Sequence, residues 1–141
     1  MSAISATVVR PVPSRVLPKP HFRYTPVLQV GSWVLVSGMV ALEPDTGQLL
    51  AADAAAQTRQ ILANLDALLH EQGWQRQHVV LARIFCTDFA QFPAINQVWD
   101  AFFTADPPPA RTSVGATALP LGALVEIEFQ LQPAGAAYPQ A

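Results

Sequence analysis

The C-terminal part of the chain contains a segment, residues 124–131, in which apolar and polar side chains alternate. The polar members of the alternation are Glu126, Glu128 and Gln130. Because successive side chains of a strand point to opposite faces of a sheet, the pattern predicts a strand with one core face and one polar face. The fold must therefore bury one face of this sheet and leave the other to solvent or to another subunit.

Two other segments have the apolar periodicity of amphipathic helices. The first helix is predicted over residues 53–72, where Asp53 can cap the start and Gly73 the end. The second helix ends before the three prolines at 107–109. The apolar stripes consist of Ile61, Leu62, Leu65, Leu68 and Leu69 in the first helix and of Ile95, Val98, Trp99, Phe102 and Phe103 in the second.

The other apolar runs predict strands, and the second strand of the first hairpin is expected to be buried on both faces. These runs are a hairpin at 27–36 and strands at 79–86 and 111–117. The order is β-β-α-β-α-β-β, and two helices can cover only one face of such a sheet. We therefore predict one α/β domain over residues 1–141, with a mixed β-sheet and both helices packed on one face.

Composition favours a subunit interface. Charged residues are 13% of the chain, against roughly 25% in an average soluble protein. The alternative is a monomer with a surface rich in alanine and proline. A net charge of −2 argues against general nucleic-acid binding. No apolar run approaches the roughly 20 residues of a membrane span, and a single cysteine points to a reducing cytoplasm.

The two ends of the chain are predicted to differ from the domain between them. Residues 1–20 form a basic, proline-punctuated arm, and residues 133–141 form a C-terminal tail. We expect the arm to be a partly extended leader strand. Alternatives are that it binds an anion or packs along a neighbouring subunit, whereas its prolines disfavour the helix of an organellar transit peptide.

Few residues are candidates for chemistry. The three histidines, His21, His70 and His78, are scattered, so no metal site is expected. Cys86 ends a predicted buried strand and is interpreted as an inert core thiol. Arg111 follows a rigid Pro-Pro-Pro-Ala segment and could grip a carboxylate, or else form a surface ion pair. Glu126 is either solvated or desolvated and tuned for proton transfer.

Several short motifs occur together in one order along the chain. They are Tyr24 with Gly31, Val36-Ser37-Gly38, Phe92-Pro-Ala-Ile-Asn96, Pro109-Ala-Arg-Thr-Ser113, Leu119-Pro120 and Gly122-Ala-Leu-Val-Glu-Ile-Glu128. Together they resemble the RidA (YjgF-type) family of reactive-intermediate deaminases, from about Pro18 to Leu131. The pairing of Pro-Ala-Arg-Thr with Val-Glu-Ile-Glu makes the resemblance specific.

The resemblance implies a chorismate-mutase-like fold that assembles as a homotrimer, with active sites between neighbouring subunits. It implies no cofactor and no metal. The deaminating members hydrolyse small 2-imino acids and their enamines, released by pyridoxal-phosphate enzymes, to 2-oxo acids and ammonia. The leading interpretation is therefore a cytoplasmic imine/enamine deaminase that acts on small carboxylates.

The resemblance also suggests roles for individual residues. Arg111 resembles the arginine that binds the substrate carboxylate, and Glu126 the acid that positions or activates water. Tyr24 resembles an aromatic lid. Three residues match cleft positions that shape the pocket and offer polar contacts, namely Ser37, Gly38 and Asn96. Ser113 stands where many members have cysteine, so a nucleophile is not expected there.

Some positions depart from the pattern of the family and leave the substrate open. Many members have Gly-Pro-Tyr where this chain has Phe22-Arg23-Tyr24, and Met39 and Gly115 also differ. Arg23 adds a positive charge beside the lid and is a candidate for binding dicarboxylates, unless it points outward. The alternatives are a pathway-specific deaminase of the aminomuconate type and a non-enzymatic ligand-binding or regulatory trimer. A ribonuclease or translation inhibitor is disfavoured by the net charge and the single lysine.

Overall fold

The computed structural model describes residues 6–133, which form one six-stranded sheet and two α-helices. The strands are β1 (Val9–Pro11), β2 (Val27–Val30), β3 (Trp33–Met39), β4 (Val79–Cys86), β5 (Ala110–Gly115) and β6 (Val125–Leu131). The helices are α1 (Ala54–Gln72) and α2 (Phe92–Phe102). The strand order across the sheet is β1-β2-β3-β6-β4-β5, in which β4 and β5 are parallel and the other neighbours antiparallel.

This architecture confirms the predicted fold. The predicted order of elements corresponds to β2-β3-α1-β4-α2-β5-β6, and both helices lie on one face of the mixed sheet. The additional strand β1 lies in the arm, where a partly extended leader was expected. Residues 1–5 of the arm and 134–141 of the predicted tail lie outside the described residues.

Helix α1 begins and ends at the predicted residues. The Asp53 carboxylate accepts a hydrogen bond from the Ala56 N–H at 2.8 Å, which satisfies a backbone donor of the first turn. Gly73 adopts a left-handed conformation, with φ of 72°, and its N–H donates to the last turn. Between these caps the apolar stripe of α1 packs against the sheet in the core.

The core lies between the helices and one face of the sheet. On β6 the residues that face the helices are buried, namely Val125, Ile127, Phe129 and Leu131, as the alternation predicted. The other face of the sheet is covered by no element of the described chain, and we call it the open face. Burial alternates along β3, and Trp33 is 44% exposed. The expectation that this strand is buried on both faces was therefore wrong, because two helices cover only one face.

The N-terminal arm packs on its own chain. Strand β1 pairs with β2 at the edge of the sheet, and the following segment crosses the end of α1. There the backbone N–H of Arg15 donates to the Glu71 carboxylate at 2.7 Å. Partial burial opposes ionisation of Glu71, but hydrogen bonds from the arm, led by that of Arg15, bring its pKa below the ordinary value.

Within the described part of the chain, no helix is both long and apolar enough to span a membrane.

Candidate functional site

Glu126 lies on the open face beside a bulge in strand β3. Val36 pairs with Phe129 and Met39 with Ile127, so the two residues Ser37 and Gly38 oppose one residue of β6. A Cβ atom added to Gly38 would lie 3.0 Å from Cδ and from Oε1 of Glu126. The absence of a side chain at Gly38 therefore lets the Glu126 carboxyl lie directly against the backbone of β3.

The surroundings of Glu126 change its acidity. Burial raises the pKa of the Glu126 carboxyl above its ordinary value, and the negative charge of Glu128 raises it further. Burial also raises the pKa of the Tyr24 phenol, followed by the charge of Glu126, which indicates that the phenol and the carboxyl lie near each other. A carboxyl with a raised pKa can exchange a proton with a reacting group closer to neutral pH.

A cleft adjoins three neighbours of this carboxyl, Tyr24, Ser37 and Gly38, although Glu126 itself does not line it. Its walls include Leu17, Pro18, Tyr24, Pro26, Ser37 and Gly38. The Ser37 hydroxyl donates to the carbonyl of Thr25 at 2.7 Å, so its proton is already committed while its oxygen can still accept. We call Tyr24, Ser37, Gly38 and Glu126 the glutamate group.

Arg111 lies elsewhere, on strand β5 at the edge of the sheet. It pairs with Ala82, whose side chain is buried on the helix side, so Arg111 also points to that side. The guanidinium carbon is 5.4 Å from the ring centroid of Phe92 and 5.1 Å from that of Trp99. Contacts of this kind hold a cation against aromatic faces without using its N–H donors.

The donors of Arg111 have no acidic partner in the described chain. The two ion pairs found among residues 6–133 are Arg76–Asp66 and Arg83–Glu128. The surface ion pair that was the alternative for Arg111 is therefore not formed there. An exposed guanidinium whose planar fork of donors is unpaired suits a two-point contact with a carboxylate.

Asn96 and Ser113 lie beside Arg111. Asn96 follows Phe92 by four residues and precedes Trp99 by three on α2, so the three side chains share one face of the helix. The amide oxygen Oδ1 of Asn96 is buried without a hydrogen-bond partner among the described residues. Such an orphaned acceptor requires an explanation, and a donor from a ligand is one. Ser113, two residues after Arg111, faces the same side of β5. We call Asn96, Arg111 and Ser113 the arginine group.

The glutamate group and the arginine group do not meet within one chain. Strand β4 lies between β5 and β6, and Arg111 and Glu126 point to opposite faces of the sheet. Arg23 belongs to neither group. It lies exposed in the bend before Tyr24, without a hydrogen bond or ion pair to the described residues.

Two features of the site were missed by the sequence analysis. Phe92 and Trp99 were interpreted as motif and core residues, but their rings also support Arg111. The ion pair of Arg83 with Glu128 was not predicted. A charged residue inside the apolar strand 79–86 was the available signal, although its partner depends on a strand register that sequence does not reveal.

The remaining chemistry-bearing residues contribute little. Cys86 is buried in the core, as expected, and burial raises the pKa of its thiol, with a further increase from the charge of Asp88. Within residues 6–133, no cluster of three or more histidine, cysteine, aspartate or glutamate residues is arranged to hold a metal ion.

The sequence matches an established family over most of its length. The family model described as Endoribonuclease L-PSP covers residues 15–131. A relative from Dermatophagoides farinae, 2-iminobutanoate/2-iminopropanoate deaminase, is 36% identical over 111 residues, which are 79% of this chain and 86% of the relative.

Solved structures agree with the sequence match. A protein of the Rid family, YyfA from Yersinia pestis, is 32% identical with a TM-score of 0.84, and the match covers 89% of this chain and 99% of that protein. RidA from Psychrobacter sp. PAMC 21119 is 31% identical with a TM-score of 0.81, covering 87% and 98% respectively. The fold defines an α/β protein with helices on one face of the sheet and an open opposite face. Together with these matches, it shows that the chain belongs to the RidA (YjgF-type) family.

Proposed function

We propose that the protein is an imine/enamine deaminase that hydrolyses small 2-imino acids to 2-oxo acids and ammonia. The observation that carries the proposal is the unpaired guanidinium of Arg111, held against two aromatic rings beside the orphaned Oδ1 of Asn96. This arrangement suits a substrate with a carboxylate and an adjacent N–H. The name of the Dermatophagoides relative supports the same reaction.

The proposed mechanism divides the work between the two groups. Arg111 binds the substrate carboxylate through two parallel hydrogen bonds. Glu126 takes a proton from water as the water oxygen attacks the imine carbon, which gives a carbinolamine. Glu126 then gives this proton to the carbinolamine nitrogen, and the C–N bond breaks as the hydroxyl O–H electrons form the C=O bond of the 2-oxo acid. The hydroxyl proton leaves with ammonia as ammonium. Tyr24 closes over the substrate, and Glu126 ends each cycle in its starting state.

We further propose that the protein works as a cytoplasmic homotrimer with sites between subunits. Arg111 and Glu126 lie on opposite faces of one sheet, so a complete site needs the arginine group of one subunit and the glutamate group of the next. The open face supports such an assembly because it exposes apolar side chains, including those of Val9, Trp33 and Val114. A ligand-binding trimer without turnover would have the same assembly, so activity must be measured directly.

The first experiment couples the protein to a dehydratase that generates 2-aminoacrylate or 2-aminocrotonate and follows the release of 2-oxo acid. We expect release to be faster than the spontaneous hydrolysis. Light scattering after gel filtration should give three times the 15.2 kDa of one chain. Spontaneous rates with every imine would contradict the deaminase function, and a monomer at micromolar concentration would contradict the shared site.

A mixing experiment tests the shared site independently. Arg111→Ala and Glu126→Gln chains are unfolded together, refolded at equal ratio and compared with each variant refolded alone. If sites form between subunits, random assembly places an intact arginine group against an intact glutamate group at roughly a quarter of interfaces. About a quarter of the parental activity should then return. No recovery in mixed trimers, shown to be mixed by mass spectrometry, would contradict sites between subunits.

A further inference from the structure

The open face of the sheet carries an ion pair directly beside Glu126. Strand register pairs Arg83 of β4 with Glu128 of β6, and Phe85 with Glu126. Paired residues of neighbouring strands point to the same face, so all four side chains lie on the open face. There Nη1 of Arg83 donates to Oε1 of Glu128 at 3.0 Å. Glu126 lies two residues before Glu128 on the same strand.

Among the described residues, the strands around Glu126 contribute one cation. From β3 it meets the backbone of Gly38, and Tyr24 approaches from the segment before β2. Strand β4 contributes Phe85 opposite and Arg83 on the diagonal, and β6 contributes Glu128. The other two arginines of the described strands, Arg10 and Arg111, pair with residues on the helix side. Arg83 is thus the single cation that the described strands place on the open face.

We infer that Arg83 is a positioning residue that clamps Glu128 and thereby leaves Glu126 as the one uncompensated carboxyl of the site. This inference rests on the proposed function and adds a residue to its machinery. With Arg83 present, the charge of Glu128 is largely balanced, and its carboxylate is held toward β4. Without Arg83, the carboxylates of Glu126 and Glu128 would repel each other, because they lie at neighbouring positions of one face.

The electrostatics of the site agree with this geometry. The negative charge of Glu128 contributes to the raised pKa of Glu126, so anything that changes the effective charge of Glu128 must change the titration of Glu126. The ion pair is half-buried in the single chain. Covering the open face with another subunit would remove water and strengthen these interactions.

The test is a charge cycle on the pair, made with Arg83→Gln, Glu128→Gln and the double variant. The first reading is the titration midpoint of the Glu126 side-chain carboxyl, followed by NMR in protein labelled with ¹³C at glutamate and assigned with Glu126→Gln. The second reading is the acidic limb of the pH profile of kcat/KM. Arg10→Gln is the matched control, because it removes the same charge from the other face, where Arg10 donates to Gln29.

The inference predicts opposite signs for the single variants. Arg83→Gln leaves Glu128 unbalanced, so the Glu126 midpoint and the acidic limb should move to higher pH. Glu128→Gln leaves the arginine unbalanced, so both should move to lower pH. The double variant should return close to the parent, and Arg10→Gln should not differ from it.

Two outcomes would overturn the inference. One is that both single variants move the midpoint in the same direction, and the other is that Arg83→Gln behaves like Arg10→Gln. If Arg83→Gln does not fold, Glu128→Gln and the double variant still decide, because the first must lower the midpoint and the second must restore it. If the parent has no deaminase activity, the NMR titration still tests the role of Arg83, so failure of the proposed function is seen separately.

Discussion

The two polar groups of this protein are built in opposite ways. The glutamate group lies in the middle of the sheet, where strands on both sides of β6 fix its backbone and Gly38 brings the backbone of β3 within contact of the carboxyl. The arginine group joins an edge strand, which carries Arg111 and Ser113, to Asn96 of α2. The exposed guanidinium contacts aromatic rings and has no ion pair among the described residues. In the proposed mechanism, the part that transfers protons would therefore be preorganised within one chain, whereas the part that binds the carboxylate would be completed by a neighbouring subunit.

This comparison predicts that the largest loss follows from a change in the glutamate group. Glu126→Gln keeps the shape of the side chain and removes its ability to transfer protons. We expect turnover to fall by roughly 10²- to 10⁴-fold, with assembly and ligand binding preserved. The measurement pairs the rate on an imine with binding of a non-reactive 2-oxo acid. Equal rates in the variant and the parent would leave Glu126 as a structural polar residue.

The next largest loss is expected in the arginine group. Arg111→Ala removes the carboxylate contact, and hydrogen bonds to charged groups contribute about 1.5–3 kcal/mol, which corresponds to roughly 10- to 150-fold in kcat/KM. Arg111→Lys should also lose most activity, because an ammonium keeps the charge but not the planar two-point fork. Steady-state kinetics on several imines check both variants. Full turnover of Arg111→Ala on all of them would refute the role as a carboxylate clamp.

A smaller loss of turnover should follow from filling the space between Gly38 of β3 and the Glu126 side chain of β6. Gly38→Ala adds a Cβ atom 3.0 Å from the Glu126 carboxyl, and the group that must move is the end of a flexible side chain. The displaced carboxyl should lower kcat by about tenfold, because misplacement of a catalytic group is costly. The midpoint temperature of thermal unfolding should change little.

Gly47→Ala provides the control for Gly38→Ala. Gly47 has a positive φ of 69° and no atom near its Cβ position. Its replacement should therefore destabilise the fold by about 1 kcal/mol and leave turnover unchanged. If Gly38→Ala behaves like Gly47→Ala, with lower stability and normal turnover, the close approach to Glu126 has no part in catalysis.

The sequence predicted local features of both groups but not their spatial relation. Alternation along β6 correctly assigned Glu126 to the polar face, and Asp53 and Gly73 correctly marked the ends of α1. These features depend on residues close in sequence. The separation of Arg111 from Glu126, and the pairing of Arg83 with Glu128, depend on β6 lying between β3 and β4. Such long-range pairing leaves no periodic signal in a single sequence.

The error at Trp33 has the same origin. The run Trp33-Val34-Leu35-Val36 is apolar at every position, which is typical of a strand covered on both faces. In the structure Val34 and Val36 face the core, while Trp33 lies on the open face. An apolar run favours burial of its side chains, but it does not show what buries them. The cover can come from the same chain or from another subunit. The exposed part of this run is therefore a reason to expect an assembly.

The smallest expected effect concerns Arg23, which lies outside both groups. It is exposed in the bend that precedes Tyr24, and it has no hydrogen bond or ion pair to the described residues. If Tyr24 closes the site, this cation lies near its entrance. We expect it to favour substrates with a second carboxylate by about 0.2–1 kcal/mol, which is at most roughly fivefold in kcat/KM.

Arg23→Gly removes this charge together with the side chain that could contact a substrate. The measurement is the ratio of kcat/KM for a dicarboxylic imine to that for a monocarboxylic imine, in the parent and in the variant. We expect the ratio to fall in Arg23→Gly, and to fall less at high salt, because exposed charges are screened. The control is Arg59→Gln, which removes the charge of an exposed arginine on α1. Glutamine is used there because glycine would destabilise the helix. A ratio that does not move relative to Arg59→Gln would show that Arg23 is a surface residue and that the substrate range is set by the arginine and glutamate groups alone.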